Sequence, residues 1–343
     1  MRTCDCGGWT DTWFARHGGV FHVAVEPGVR VVVRARDVRP GAFEPVRLAA
    51  GNYGDRYAFV PGTRPWGRHP LLEAAIESVG VPAGVAIEVD VRSEVPPGAS
   101  TGTSASVCVA IVGAMSALWN RPLVPDRLAM AAHAVETDRL GRQSGIQDQF
   151  AAAHGGVSYI EIPEYPAARR HAVPVAEAVR EALERQLLLV YLGRTHSSSA
   201  IHDEVIRGLD RPASRGREAL DALRAAAAAA RDAAAAGRLE DLGAAMKANT
   251  EAQRLLHPSL VGADAQRVIA AAAGQGALGW KINGAGGEGG SMAVLCRPDN
   301  GAREETEAAI LRASGAYRVL PATIAPAGLR VVEEAAGEGE GTR

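Results

Sequence analysis

Lysine is almost missing from this sequence of 343 residues: Lys247 and Lys281 stand alone against 35 arginines. The skew accompanies heavy Ala and Gly usage, as a GC-rich genome produces, and leaves no lysine for a phosphate loop of the G-x-x-x-x-G-K-S/T kind. Net charge is also nearly absent, with 37 basic and 39 acidic residues giving −2. No global field exists to hold nucleic acid or an anionic membrane, so any phosphate binding must be local. The four cysteines, Cys4, Cys6, Cys108 and Cys296, lack C-x-x-C spacing, which argues for reduced thiols rather than a secreted disulfide framework. No run of 18 apolar residues occurs, and the first twenty positions carry charge, Gly and Trp instead of an apolar signal core. The expected protein is soluble and cytoplasmic, with neither nucleic acid nor membrane as partner.

Hydrophobic residues make up 47% of the chain, enough for a large core, and a length near 340 suggests two domains of about 150 residues each. HVAVEPGVRVVVRARDV (22–38) reads as a hairpin broken at Pro27-Gly28, and GVAIEVDVRS (84–93) as a strand with Val85, Ile87, Val89 and Val91 on one face. HPLLEAAIESVG (69–80) has helical spacing and stops at a glycine. The apolar segment VCVAIVGAMSALW reads as a helix by its length, and Asp126 as the N-cap of the next one. LLLVYLG (187–193) reads as a central strand. From about 200 to 275 the pattern is helical, with an Ala-rich stretch taken as a solvated helix, before alternation returns in SMAVLC and GLRVVEE. The composition shift near 180 divides the chain into 1–180 and 181–334, and 335–343 reads as a frayed tail.

Four segments carry chemistry. PPGASTGTSAS (96–106) places tiny side chains before a helix, an arrangement that lets backbone N–H groups and the helix N-terminus meet an anion; a plain strand-to-helix turn is the competing reading. KINGAGGEGGSMAVLC (281–296) contains Gly284, Gly286 and Gly289 in G-x-G-x-x-G spacing, but the following segment looks like a strand, so a hairpin loop competes with a dinucleotide fingerprint. Glu136 stands twelve residues before Asp148 in SGIQDQF, where a turn brings both to one site or leaves both as solvated helix charges. RTCDCGGWTDTWF supplies Asp11 among Gly and Trp, as in a polyol pocket or an ordinary glycine turn. His196 and Lys281 are read as a surface-turn histidine and a strand-closing residue.

Taken in order, these segments resemble the motifs of the GHMP small-molecule kinases. Arg2 and Asp11 keep the spacing of the sugar-kinase N-terminal motif; Pro96 to Ala105 resembles P-x-G-x-G-L-G-S-S-A with Ser100, Thr101 and Thr103 as departures. SGIQDQ is similar to G-I-x-D-Q, and GAGGEGG to the family's late glycine loop with Glu288 in place of glycine. GGWTDT resembles fucokinases; QDQFAAAHGG with RTHSSSAI resembles heptose-phosphate kinases. Galactokinase has a Glu-His pair where this chain has Gly8 and Trp9.

The resemblance implies an α+β, two-domain kinase with its active site in the cleft between halves, using ATP and Mg²⁺ to phosphorylate a sugar or sugar phosphate, at the anomeric hydroxyl. Asp148 then matches the catalytic aspartate and Arg2 the basic residue that steadies it. Pro97, Gly98, Ala99, Ser100, Thr101, Gly102, Thr103 and Ser104 match the nucleotide loop, Ser104 and Glu136 the metal ligands. Asp11, Gly145, Asp148, Gly284, Gly286 and Gly287 match the substrate side. Two departures stand out: Glu288 brings like charge toward phosphates unless it meets an arginine or turns away, and Arg2 follows Met1 without the family's preceding strand, which leaves Arg2 loosely held if the start lies upstream. A non-catalytic sugar or nucleotide sensor and an NAD(P)-dependent oxidoreductase are the competing functions.

Overall fold

The computed structural model describes residues 1–39, 44–195, 198–209 and 215–334. His196 and the tail from 335 lie outside the described residues.

β1 (Arg2–Cys6) and β2 (Gly18–Glu26) pair antiparallel, with Arg2 opposite Ala24. Next come β3 (Val29–Asp37), β4 (Val46–Ala50), β5 (Asp55–Phe59), α1 (Pro70–Val79) and β6 (Val85–Ser93). The alternation of β6 and the stop of α1 at Gly80 follow the sequence pattern. The expected 22–38 hairpin does not form. β2 and β3 are strands, but β2 lies between β1 and a later strand while β3 pairs with β6, so the chain changes sheets at Pro27-Gly28. Alternation marks a strand and leaves its partner open.

α2 (Thr103–Leu118) is apolar all round and is the spine of the first core, where Cys108, Ile111 and Met115 are fully buried. α3 (Pro125–Ala134) begins with Pro at its first position after Val124; Asp126 stands inside the first turn, so the expected N-cap is displaced by proline's preference for that first place. A π-helical turn over Val135–Arg139 follows, then α4 (Gln147–His154), β7 (Val157–Glu164) and β8 (Ala167–Ala172). β7 completes the order β1-β2-β7-β8.

The later part contains α5 (Glu177–Gln186), β9 (Leu187–Tyr191), α6 (Ser198–Leu209), α7 (Gly216–Ala235), α8 (Leu239–Leu256), α9 (Ala263–Gly274), β10 (Gly279–Ile282), β11 (Ser291–Leu295), α10 (Ala302–Ala313), β12 (Arg318–Leu320) and β13 (Thr323–Ile324). β9 is central in the sheet β10-β11-β9-β12, and β10 and β11 pair antiparallel around the late glycine loop. That loop is a strand-to-strand connection, the wrong context for a dinucleotide fingerprint. The position 180 falls inside α5.

Two further expectations are corrected. The alanine stretch lies in α7, and one face of that helix, including Ala226, Ala227, Ala230, Ala233 and Ala234, is buried rather than solvated. GLRVVEE forms no strand; Val331 and Val332 are exposed, and the nearby strand is β13, which pairs with β2.

Candidate functional site

Between Pro96 and Thr103 the chain takes left-handed conformations at Gly98 (φ 72°), Ser100 (φ 57°) and Gly102 (φ 74°). This coiling delivers the chain to the start of α2, whose first N–H groups lack intrahelical acceptors and lie at the positive end of the helix dipole. Gly102 is needed for contact as well as conformation. A Cβ there would stand 3.0 Å from Asp148 Cγ, so the loop and the acidic residue touch.

Asp148 occupies the first turn of α4, and Arg2 reaches it from β1 with Nε–Oδ1 2.8 Å and Nη2–Oδ2 3.2 Å. Arg2 also donates to the Ser100 carbonyl. Its backbone N–H donates to Thr101 O at 3.0 Å, and the side chain is 3% exposed. Arg2 is thus firmly held, contrary to the expectation that it would be loose. Burial opposes its charge, but Asp148 and Asp5 outweigh burial and raise its pKa.

Asp11 turns out to organise α4. Its Oδ2 accepts from the N–H groups of Ile146 (2.9 Å) and Gln147 (3.1 Å), capping that helix from a distant segment. Gly145 leaves the room, since a Cβ there would collide with the Asp11 carboxylate. Burial pushes the Asp11 pKa up to about 6. Glu136, in the π-helical turn, is buried, and its Oε2 accepts from Gln149 Nε2 (2.6 Å) and Ser144 Oγ (3.1 Å). Burial, then the charge of Asp148, raises its pKa to about 7.

These groups face one cavity of ≈ 370 Å³, lined by Arg2, Asp11, Glu136, Gly145 and Asp148 together with Gly98, Ser100, Gly102, Thr103 and Ser104. Gly284 closes it from the late glycine loop, while Trp9 and His202, whose rings meet edge-on at 4.7 Å, form an aromatic wall. Ala99 and Thr101 are buried beneath the loop; Pro97 lines a neighbouring cavity of ≈ 240 Å³. Gly286 and Gly287 are not among the lining residues and pack against Leu260 and Ile201 instead. Glu288 is exposed, caps α9 through Ala263 N (3.2 Å) and lies 3.7 Å from Arg194, so the anticipated repulsion is answered by an arginine. Lys281 is fully buried and pairs with Asp5 at 3.3 Å, which leaves it no access to a phosphate.

The donors suit a hard cation. Glu136 is a carboxylate whose charge is costly without a positive partner, and the exposed Ser104 hydroxyl lines the same cavity; both are oxygen ligands of the kind Mg²⁺ takes beside phosphate and water oxygens.

The sequence reading missed the second cavity, walled by Asn52, Tyr53, Arg68, His69 and Leu72, and opening beside Pro97 and Ser104. Its residues come from a short turn and the start of α1, and no motif spacing links them. Trp9 lies in the segment that supplies Asp11, and its indole N–H is buried with no hydrogen-bond partner among the described residues.

Residues 70–156 match the family model described as the GHMP kinases N terminal domain. Mevalonate kinase from Archaeoglobus fulgidus is 29% identical over 223 residues, 65% of this chain and 70% of that protein. D-glycero-alpha-D-manno-heptose 7-phosphate kinase from Campylobacter jejuni is 24% identical over 57% of this chain and 58% of its own length. The structure of Lactococcus lactis galactokinase complexed with galactose superposes with a TM-score of 0.68 at 18% identity, covering 91% of this chain and 89% of that one. Residues 70–156 are thus similar to the GHMP kinases N terminal domain, the similar curated proteins are small-molecule kinases, and the chain shares its fold with the galactokinase structure over most of its length.

Proposed function

We propose that the protein transfers the γ-phosphoryl group of Mg-ATP to a hydroxyl of a sugar or sugar phosphate, at the anomeric position. The observation that carries this reading is the apposition of Asp148, paired with Arg2, to Gly102 of the loop that begins α2. In this reading the phosphates lie along Gly98–Ser104, where backbone N–H groups and the start of α2 neutralise them, and the base enters the smaller cavity near Tyr53 and His69. Ser104 and Glu136 would hold Mg²⁺, which supplies charge neutralisation on the phosphate oxygens. Asp148 accepts the proton of the attacking hydroxyl, and Arg2 keeps the carboxylate oriented toward it. Asp11 fixes the first turn of α4 and so the direction of Asp148. Residues 1–180 supply the loop and the Asp148–Arg2 pair; 181–334 close the cavity through His202, Gly284 and Ala285.

Trp9 and His202 support a sugar acceptor, because an aromatic wall suits the apolar face of a pyranose while carboxylates and hydroxyls meet its rim. Mevalonate is the second reading, favoured by the Archaeoglobus relative. A coupled ADP-release screen of free sugars, sugar phosphates and mevalonate, with the product assigned by phosphorus NMR, separates them. Transfer confined to a primary alcohol overturns the anomeric reading. Asp148→Asn is expected to lower kcat by about 10²- to 10⁴-fold with an unchanged circular dichroism spectrum; full activity removes Asp148 from its role.

A further inference from the structure

The two cavities meet at four shared residues, Gly98, Thr103, Ser104 and Arg142. The first three are neutral members of the glycine loop and the start of α2. Arg142 is the charged one. It lies six residues before Asp148, in the connection between the π-helical turn and α4, and its backbone N–H donates to Glu136 O at 2.9 Å. Its guanidinium is close enough for its charge to act on the Glu136 carboxylate.

The other arginines of the cavities are committed. Arg2 lines the larger one and is held by Asp148 at 2.8 Å; Arg68 lines the smaller and stands 3.6 Å from Asp55. The Arg142 side chain is exposed and has no hydrogen bond or ion pair among the described residues. A fork of five donors therefore stands free at the seam between the cavity read as taking the base and the one read as holding the phosphates and the acceptor.

A nucleotide with its base in the smaller cavity and its phosphates along Gly98–Ser104 lies across that seam, and its γ-phosphoryl group carries negative charge on three equatorial oxygens during transfer. We propose that Arg142 is a catalytic residue whose guanidinium holds the γ-phosphoryl group during transfer; the assignment rests on the ATP-dependent reading above. The acceptor oxygen forms a bond to the γ-phosphorus as the bridging bond to the β-phosphate breaks. The electron pair of that bond leaves with ADP, the acceptor proton passes to Asp148, and Arg142 donates hydrogen bonds throughout without exchanging a proton.

The test compares wild type, Arg142→Ala and Arg142→Lys with Mg-ATP and the best acceptor of the screen, and measures Mg-ADP and non-hydrolysable Mg-ATP-analogue binding by titration calorimetry. Arg142→Ala is expected to lose about 10²- to 10³-fold in kcat. It should bind the ATP analogue more weakly and ADP as wild type does, and melt at the wild-type temperature. Arg142→Lys should recover part of the rate, because it restores charge without the fork. A wild-type kcat in Arg142→Ala, a loss confined to the acceptor KM, or equal weakening toward ADP and the ATP analogue each overturns the assignment. Inactivity of the wild type toward every acceptor would defeat the kinase reading, and the binding comparison would still decide whether Arg142 contacts the γ-phosphoryl group.

Discussion

His22 lies on β2 with no exposure, and neither ring nitrogen has a hydrogen-bond partner among the described residues. Burial is the main cause that drives its pKa down to about 3, with the nearby Arg2 adding to it. An unfolded chain binds a proton at this imidazole below pH 6.5, whereas the folded chain refuses it until about pH 3. Its contribution to stability is therefore full above pH 6.5 and is lost as pH falls through that window. His22→Leu should remove this acid sensitivity, gaining on wild type by about 3 kcal/mol between pH 7 and pH 4.5. Denaturant unfolding of both proteins at the two pH values reads the difference, and parallel curves would reject it. Asp11, raised to about 6, has the opposite sign, its contribution falling as pH rises toward 6, and it is common to both proteins in the comparison.

At the scale of elements, α7 shows how glycine and alanine set a packing distance. A Cβ on Gly7 would stand 2.6 Å from the Ala227 Cβ, so the helix rests directly on the backbone after β1. Ala227→Leu should overfill this contact and destabilise the fold by about 1–3 kcal/mol, read as a lower denaturation midpoint at an unchanged m value. Alanine's helix propensity made α7 legible in the sequence, but propensity says nothing of what covers a helix. α1 and β6 were legible because their apolar residues follow a single period, and α2 because its apolar run is too long for a strand. The pairing of β3 with β6 was not, since register and partner are decided across sheets. At the site, Gly102, Asp148, Arg2 and Glu136 were found through motif order, and the cavity gathers them. Asp11 was found, but its capping of α4 required the fold to bring residues 135 positions apart together. Arg142 had no signal, being one arginine among 35.

Across the whole molecule the two halves interlock. β13 pairs with β2, α7 covers β1 and β2, and Asn249 of α8 accepts from Gly7 N at 2.6 Å. A fragment of residues 1–180 would expose the face of β2 that carries Phe21 and Val23, both buried against residues of the later part. Such a fragment is expected to show no cooperative thermal transition; a sharp melt by circular dichroism would show instead that it folds alone. The halves are also joined by charge. Lys281 of β10 pairs with Asp5 of β1, whose other oxygen accepts from Gly284 N at 2.9 Å and lies 3.7 Å from Arg2. A coding bias that writes arginine at almost every basic position meets a limit there. Lys281→Arg, the exchange such a bias favours, would put a planar fork where a compact ammonium is fully enclosed. Loss of the Asp5 carboxylate would strand the Lys281 ammonium at a cost of about 3–5 kcal/mol, whereas loss of Lys281 leaves Asp5 with Arg2 and the Gly284 N–H. The buried pair thus ties a lysine to a carboxylate across the two halves, so in descent a change at position 5 is expected to require one at position 281.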